Sequence, residues 1–437
     1  MSPSSITRHA RRLVRRFDGS QFSTAVAGTE RQKELIAFEE SSTCLNYSPL
    51  PVVLERGEGI HLYDVDGKRY MDFLSGYSAV NQGHCHPRIL EALTSQASKL
   101  TLTSRAFHSD ALGEYASFIT ELFGYDRVLP MNTGVEAGDS AIKLARRWAY
   151  DVKGTKPDQA VVLFADGNFW GRSLAAISSS TDPDSYGGFG PLMPGFRNIP
   201  YNDIGALRRA LDADTEKRVC AFMVEPIQGE AGVVVPDPGY LRECKRLLEA
   251  HGALLIADEV QTGLGRCGKM LCSDWDDVKP DIVCLGKALS GGMFPVSAVL
   301  SSDEIMLTIG RGQHGSTFGG SPLACRVAKA ALEVIIDEGL AQNAERLGRR
   351  FRERLGSVTR DAAPVRGKGL LNAVVIEPRG GTKAVSAKAV CLELMRRGLL
   401  CKPTHENIIR FAPPLVIDER QLDEAADLIV EVLDDRS

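Results

Sequence analysis

The chain has 437 residues, 43% of them apolar and 25% charged, with a formal net charge of −4. That balance suits a globular protein with an ample core, and the length points to two or three domains. It gives no reason to expect nucleic acid or an anionic membrane as partner, and no run approaches the roughly 18 apolar residues of a membrane span.

Residues 1–35 read as an Arg-rich arm. Ile6, Ala10, Leu13, Val14 and Phe17 share one face at helical spacing, and Arg8, Arg11, Arg12, Arg15 and Arg16 occupy the other. Acids are scarce there. The pattern resembles a mitochondrial transit peptide, which makes the mitochondrial matrix the expected compartment. A solvated basic arm on a cytoplasmic protein is the alternative. Ten cysteines between Cys44 and Cys401, with no C-x-x-C pair, favour reduced thiols over a disulfide framework.

Residues 36–90 open a small domain. Asp66-Gly67 within LERGEGIHLYDVDGKRYMDFLSG is a hairpin signal and predicts a small antiparallel sheet. HPRILEALTSQASKL then takes helical period. His84, Cys85 and His86 alternate as ligands could, but Pro87 follows and no second ligand pair is apparent. A packing or loop role is expected there, and no metal.

Residues 91–335 repeat strand, loop and helix, as a large domain would. Candidate strands are 128–132, 160–166, 220–226, 253–259, 281–287 and 296–301. The intervals from Glu225 to Asp258 and from Asp258 to Lys287 fit βαβ units of about 30 residues. YLRECKRLLEAHG predicts an amphipathic helix closed by Gly252. Residues 336–437 mix helices such as AKAVCLELMRRGL with short strands, LLNAVVIE and IIRFAP. The expected fold is α/β: a large domain with a mostly parallel central sheet, plus a smaller α+β domain built from both chain ends.

Two predicted strands end in a charge, ALLIADE at Asp258 and DIVCLGK at Lys287. Their continuous apolar runs suit strands buried on both faces, and ligands bind beyond the carboxyl ends of such strands. An amine and a carboxylate placed there suit pyridoxal 5'-phosphate, one for a Schiff base and one for the pyridine nitrogen. A snorkelling lysine and a capping aspartate are the bland accounts of the same residues. In NTGVEAGDSAIKLARRWAY the backbone amides of Gly134 and Val135 would open a helix and hold a phosphate. Ser316 and Thr317, in HGSTFGGSP, offer hydroxyls to the same group. GLGRCGKM matches a dinucleotide fingerprint and most of a P-loop, yet Met270 stands where Mg²⁺ needs Ser or Thr, and no convincing helix follows. GRGQHG also fails to lead into a helix. A nucleotide-binding module is therefore the distant alternative.

Taken in order, NTGVEAGDSA, VEPIQGEAGVVVP, IADEVQTGLGR, LGKALSGG and HGSTFGG resemble the class III aminotransferases of PLP fold type I. The likeness runs from Asn46 to the C-terminal helix. NYSPLPVVLERGEGI, SGYSAVNQGHCHP, LTLTSRAF, GNFWGRSLAAISSSTDP and IIRFAPPLVI are closer still to the branch of that family that acts on ornithine. The resemblance implies a homodimer with shared active sites. It implies transfer of the δ-amino group of L-ornithine to 2-oxoglutarate, giving glutamate 5-semialdehyde and glutamate.

It also implies roles for particular positions. Lys287 would carry the cofactor, Asp258 would meet its pyridine nitrogen, Phe169 would stack on the ring and Gln261 would contact the phenolic oxygen. Gly134, Val135 and Thr317 of the partner subunit would hold the phosphate. Tyr47 and Arg172 would orient the α-amino and α-carboxylate groups of ornithine, and Tyr77 would restrict the pocket. Glu230 would pair with Arg410 and release it to a dicarboxylate, whose carboxylate matches a guanidinium fork. Acetylornithine or 4-aminobutyrate as donor is the alternative, against which Tyr47 and Tyr77 argue. Ser321 departs from the pattern, since many relatives carry Asn there.

Overall fold

The structure is a computed structural model that describes residues 28–359, 365–376 and 386–434. The basic pattern of residues 6–17 lies outside the described residues. The first described helix, Glu30–Glu40, begins inside the stretch expected to be an arm. Its Gln32 is buried and donates to Asp64 at 3.2 Å and to Asp66 at 2.6 Å, which ties the helix to the hairpin that follows.

Strands β1 (Leu54–Glu58), β2 (His61–Asp64) and β3 (Arg69–Asp72) form the expected antiparallel sheet. Gly67 turns the hairpin at φ +84°, a conformation that favours glycine.

The central sheet has seven strands: β4 (Arg127–Met131), β5 (Val161–Ala165), β6 (Phe196–Ile199), β7 (Val219–Val224), β8 (Leu254–Asp258), β9 (Ile282–Leu285) and β10 (Ser297–Ser301). Their order is β4-β10-β9-β8-β7-β5-β6. β6, β5, β7, β8 and β9 run parallel, whereas β10 is antiparallel to both β9 and β4. Alternation along each strand feeds two cores. Phe164, Met223 and Ile256 pack with Ala137, Ala141 and Ala145 of the Gly134–Trp148 helix. Leu163, Phe222 and Leu255 pack with Leu241, Cys244 and Leu248 of the Tyr240–Ala250 helix. Phe222 is fully buried, so Phe222→Ala would cost about 3–5 kcal/mol.

The Tyr240–Ala250 helix closes as expected: Gly252 takes φ +59° and the Ala253 amide donates back to the Leu248 carbonyl at 2.9 Å. β6 was not predicted. Its four residues are mixed in polarity, and pairing with β5 makes the strand. The 20-residue helix Leu340–Thr359 was also missed, although Leu340, Ala344, Leu347, Phe351 and Leu355 are buried at helical spacing; Gly339 at φ +59° separates it from the Pro322–Asp337 helix before it.

The chain ends meet in the remaining sheets. β11 (Val365–Lys368), β12 (Leu371–Val375), β14 (Lys402–Thr404) and β15 (Ile408–Phe411) form an antiparallel sheet, and β13 (Leu399–Leu400) adds in parallel to β3. Residues of GLGRCGKM form a turn that clamps these parts together. Its Arg266 is fully buried and donates to the carbonyls of Leu370 (3.0 Å) and Pro413 (2.6 Å) and to Asn81 (2.6 Å). Burial pushes the Arg266 guanidinium down to about 9, against the opposing pull of Cys267 and Asp72.

Candidate active site

Asp258 ends β8 and is buried. Its Oδ1 accepts the Val260 amide at 3.0 Å. Burial drives its pKa up to about 6, against the pull of that amide and of Lys287. β9 lies parallel beside β8 with Cys284 opposite Asp258, and two residues beyond β9 the chain turns at Lys287 with φ +45°. A left-handed lysine costs about 1–2 kcal/mol, a strain that recurs at functional sites. Burial lowers the Lys287 pKa. Glu230, Asp258 and Glu225 pull it back up, and Arg410 adds to the lowering. Three carboxyls and one guanidinium from distant segments thus act electrostatically on one amine. Glu259 is buried and holds the Thr262 hydroxyl and the Ser273 amide, a structural task.

The turn before the Gly134–Trp148 helix forms a capping box. Glu136 Oε2 accepts the Thr133 amide at 2.7 Å, and Thr133 Oγ1 accepts the Glu136 amide at 3.4 Å. Gly134 and Val135, the first two helical residues, have no acceptor within the helix for their amides, and the helix dipole favours an anion there. A Cβ on Gly134 would lie 2.9 Å from Val260 Cγ1, so glycine lets this helix end approach the end of β8. Ser316 Oγ accepts from Asn132 Nδ2 at 2.6 Å, which anchors the 310–320 loop to the same turn, while Thr317 is exposed.

Across from the sheet, Ser75, Gly76, Tyr77 and Ser78 all take positive φ, from 51° to 69°. Asp72 Oδ1 holds this left-handed turn by accepting the amides of Leu74 and Ser75, each at 2.8 Å. The Tyr77 carbonyl accepts from Gln261 Nε2 at 3.2 Å. Gln261 in turn presses on Gly229: a Cβ there would sit 1.5 Å from Gln261 Oε1. The next residue, Glu230, accepts from Arg410 at 2.9 Å. Burial alone would raise the Glu230 carboxyl, but Arg410 outweighs it and holds the group below its usual range. Arg410, on β15, is 3% exposed, and its guanidinium lies 5.1 Å from the Tyr77 ring centre.

Arg172 is exposed and stands 5.6 Å over the half-buried Phe169 ring. Tyr47 is 73% exposed and lies at the rim. Reasoning from sequence overlooked two neighbours. Lys402 places its ammonium 5.6 Å from the Tyr47 ring and 5.9 Å from the Tyr77 ring. Glu225 accepts the Phe169 amide at 3.0 Å. Glu225 had a readable signal, since it follows a buried strand just as Asp258 ends one; Lys402 had none. His84 and His86 go to separate carboxylates, Asp72 at 2.7 Å and Glu338 at 2.9 Å.

A half-buried lysine, a buried acid at the end of the neighbouring strand and a helix start that admits a close anion fit the aldehyde, pyridine nitrogen and phosphate of one cofactor. Fold and site together define a pyridoxal-phosphate-dependent enzyme of fold type I. The chain belongs to the class-III aminotransferases, whose family model matches residues 44–433. It is 58% identical over 424 residues to a rat protein named ornithine aminotransferase, mitochondrial, a match covering 96% of this chain and 95% of the rat one. The solved ornithine aminotransferase of Toxoplasma gondii ME49 is similar at TM-score 0.90 and 46% identity, covering 96% of this chain and 98% of that one. Acetylornithine aminotransferase from Elizabethkingia anophelis is similar at TM-score 0.83 and 51% identity, covering 92% and 99%.

Proposed function

We propose that this aminotransferase moves the δ-amino group of L-ornithine to 2-oxoglutarate. The products are glutamate and glutamate 5-semialdehyde, which cyclises to pyrroline-5-carboxylate. The observation that carries this reading is the 2.9 Å pair of Glu230 and Arg410, set beside Tyr77 and within electrostatic reach of Lys287. One pocket must take ornithine by its terminal amine and then a dicarboxylate by its α-carbon. While Glu230 neutralises Arg410, the pocket makes no demand for a second carboxylate and ornithine enters. When 2-oxoglutarate arrives, its carboxylate takes the guanidinium fork and Glu230 withdraws.

Bound pyridoxal phosphate supplies an electron sink for a carbanion beside nitrogen and carries the amino group between the two half-reactions. Gly134, Val135 and Ser316, with Thr317 of the partner subunit, would hold its phosphate. Phe169 would lie on the ring, Gln261 would meet the phenolic oxygen and Asp258 would meet the pyridine nitrogen. Lys287 would anchor the aldehyde carbon. Once freed by substrate, its amine would take a proton from ornithine's δ-carbon and deliver it to the cofactor carbon that bears the transferred nitrogen, a task suited to an amine whose pKa burial has lowered. Tyr47 and Arg172 hold the α-amino and α-carboxylate ends, and Tyr77 narrows the pocket.

The enzyme acts as a homodimer with shared sites. Supporting this, Phe318 next to Thr317 is 59% exposed, and Phe107 and Leu307 are exposed too. Its compartment is the mitochondrial matrix, a reading supported by the basic N-terminal pattern and by the rat relative's name. Production of pyrroline-5-carboxylate from ornithine and 2-oxoglutarate tests the whole. The Elizabethkingia likeness favours a second donor, acetylornithine. Relative kcat/KM for ornithine, acetylornithine and 4-aminobutyrate decides, and a tenfold preference for either of the latter two would overturn our reading.

A further inference from the structure

Asp258 has a buried neighbour of its own kind. β7 and β8 run parallel with Met223 opposite Ile256 and Val224 opposite Ala257, so the next residues, Glu225 and Asp258, stand side by side. Met223 and Ile256 face the Gly134–Trp148 helix, and two residues on the same face recurs. Both acids line one small cavity with Asn168, Phe169 and Trp170.

The two oxygens of Glu225 accept amides from two different loops: Phe169 N–H at 3.0 Å and Gly229 N–H at 3.3 Å. The first carries the aromatic ring expected over the cofactor. The second leads into Glu230 and abuts Gln261. Three titratable groups face Glu225. Asp258 comes from β8, Lys287 from the turn after β9, and Tyr201 donates its hydroxyl to the Glu225 and Pro226 carbonyls. Burial and then Asp258 push the Glu225 carboxyl up to about 8, against its two amides and Lys287. Adjacent buried carboxyls resist holding two charges and titrate as a pair.

We propose that Glu225 is a positioning residue of the cofactor site: its carboxyl ties the Phe169 and Gly229 loops to β7 and limits the negative charge that Asp258 and its neighbour jointly present to the pyridine nitrogen. This rests on the cofactor reading, which is checked first and separately. Wild-type holoenzyme must be yellow and lose its colour with borohydride; a colourless wild type would end that reading without bearing on Glu225.

The test then compares holoenzyme carrying Glu225, E225Q or E225A by two readouts: cofactor dissociation from titrated apoprotein, and the pH midpoint of the visible band between pH 6 and 10. E225A strands two buried amides and is expected to weaken cofactor binding about tenfold or more, while E225Q keeps one acceptor and stays within about threefold. Both variants are expected to move the visible midpoint by about half a pH unit or more, because the neighbouring charge no longer titrates. Midpoints equal to wild type in both variants overturn the proposal whatever the affinities, since a merely structural acid would leave the titration alone. E225Q answers by itself should E225A not fold.

Discussion

The guanidinium of Arg410 that holds Glu230 at 2.9 Å also lies 5.1 Å from the centre of the Tyr77 ring. The cation is therefore claimed by an acid and an aromatic face at once, with almost no solvent contact. Glu230 is 31% exposed, so it can leave more cheaply than Arg410 could. That asymmetry suits a pair that opens by moving the acid.

Glu230→Ala leaves Arg410 open to a carboxylate from the outset. The ratio of kcat/KM for ornithine to that for glutamate as amino donor is expected to fall at least about tenfold, equivalent to ~1.4 kcal/mol. Steady-state kinetics on both donors measures it. A ratio that stays put would mean the pair does not govern substrate choice.

Lys287→Ala removes the amine on which three carboxyls and Arg410 act electrostatically. Turnover is expected to drop by at least about a thousandfold, as for other residues that form covalent links. Circular dichroism and cofactor absorbance would confirm that the variant still folds and binds. Near-normal turnover would refute the assignment.

Asp258 and Glu225 make apoprotein stability depend on pH. Their folded pKa values, about 6 and about 8, lie above the ~4 expected in the unfolded chain. The folded state therefore keeps protons that the unfolded state has released, and the stability they contribute is present below pH ~4 and lost as pH rises through each folded value. Glu225→Gln removes the higher of the two steps. The urea midpoint of the E225Q apoprotein is expected to gain on wild type between pH 6 and 9, and a constant difference across that range would contradict the shift.

Gly229→Ala would place a Cβ 1.5 Å from Gln261 Oε1. Gln261 must then give up its 3.2 Å bond to the Tyr77 carbonyl, or the loop must shift. The expected loss is about 1–3 kcal/mol of stability in chemical denaturation, the usual range for overpacking. A variant as stable as wild type would show that the loop relaxes freely.

Much of the scaffold was legible because it is encoded locally. The runs that became β5, β7, β8, β9 and β10 are continuous and apolar, and their ends fell within a residue or two of expectation. β6 was not legible, since Phe-Arg-Asn-Ile carries no period of its own and exists by pairing with β5. Nor was the antiparallel direction of β10, because strand direction depends on how the chain returns to the sheet. GLGRCGKM folds as a turn and leads into no α-helix, yet nothing local says that Arg266 is wholly buried on carbonyls from residues 370 and 413.

The amino-acid order alone determined which strands are buried on both faces, which of them lead to Asp258 and Lys287, and where a helix starts with Gly134. These follow from side-chain period, turn residues and caps, all of which act between near neighbours in the chain. Tertiary structure decided which charges meet. Glu230 and Arg410 are 180 residues apart, Lys402 stands opposite Arg410 only through the pairing of β14 with β15, and Glu225 becomes Asp258's neighbour only through the register of two strands. Coulomb and desolvation energies depend on distance in space and on burial, and neither exists until the two ends of the chain have folded onto the sheet.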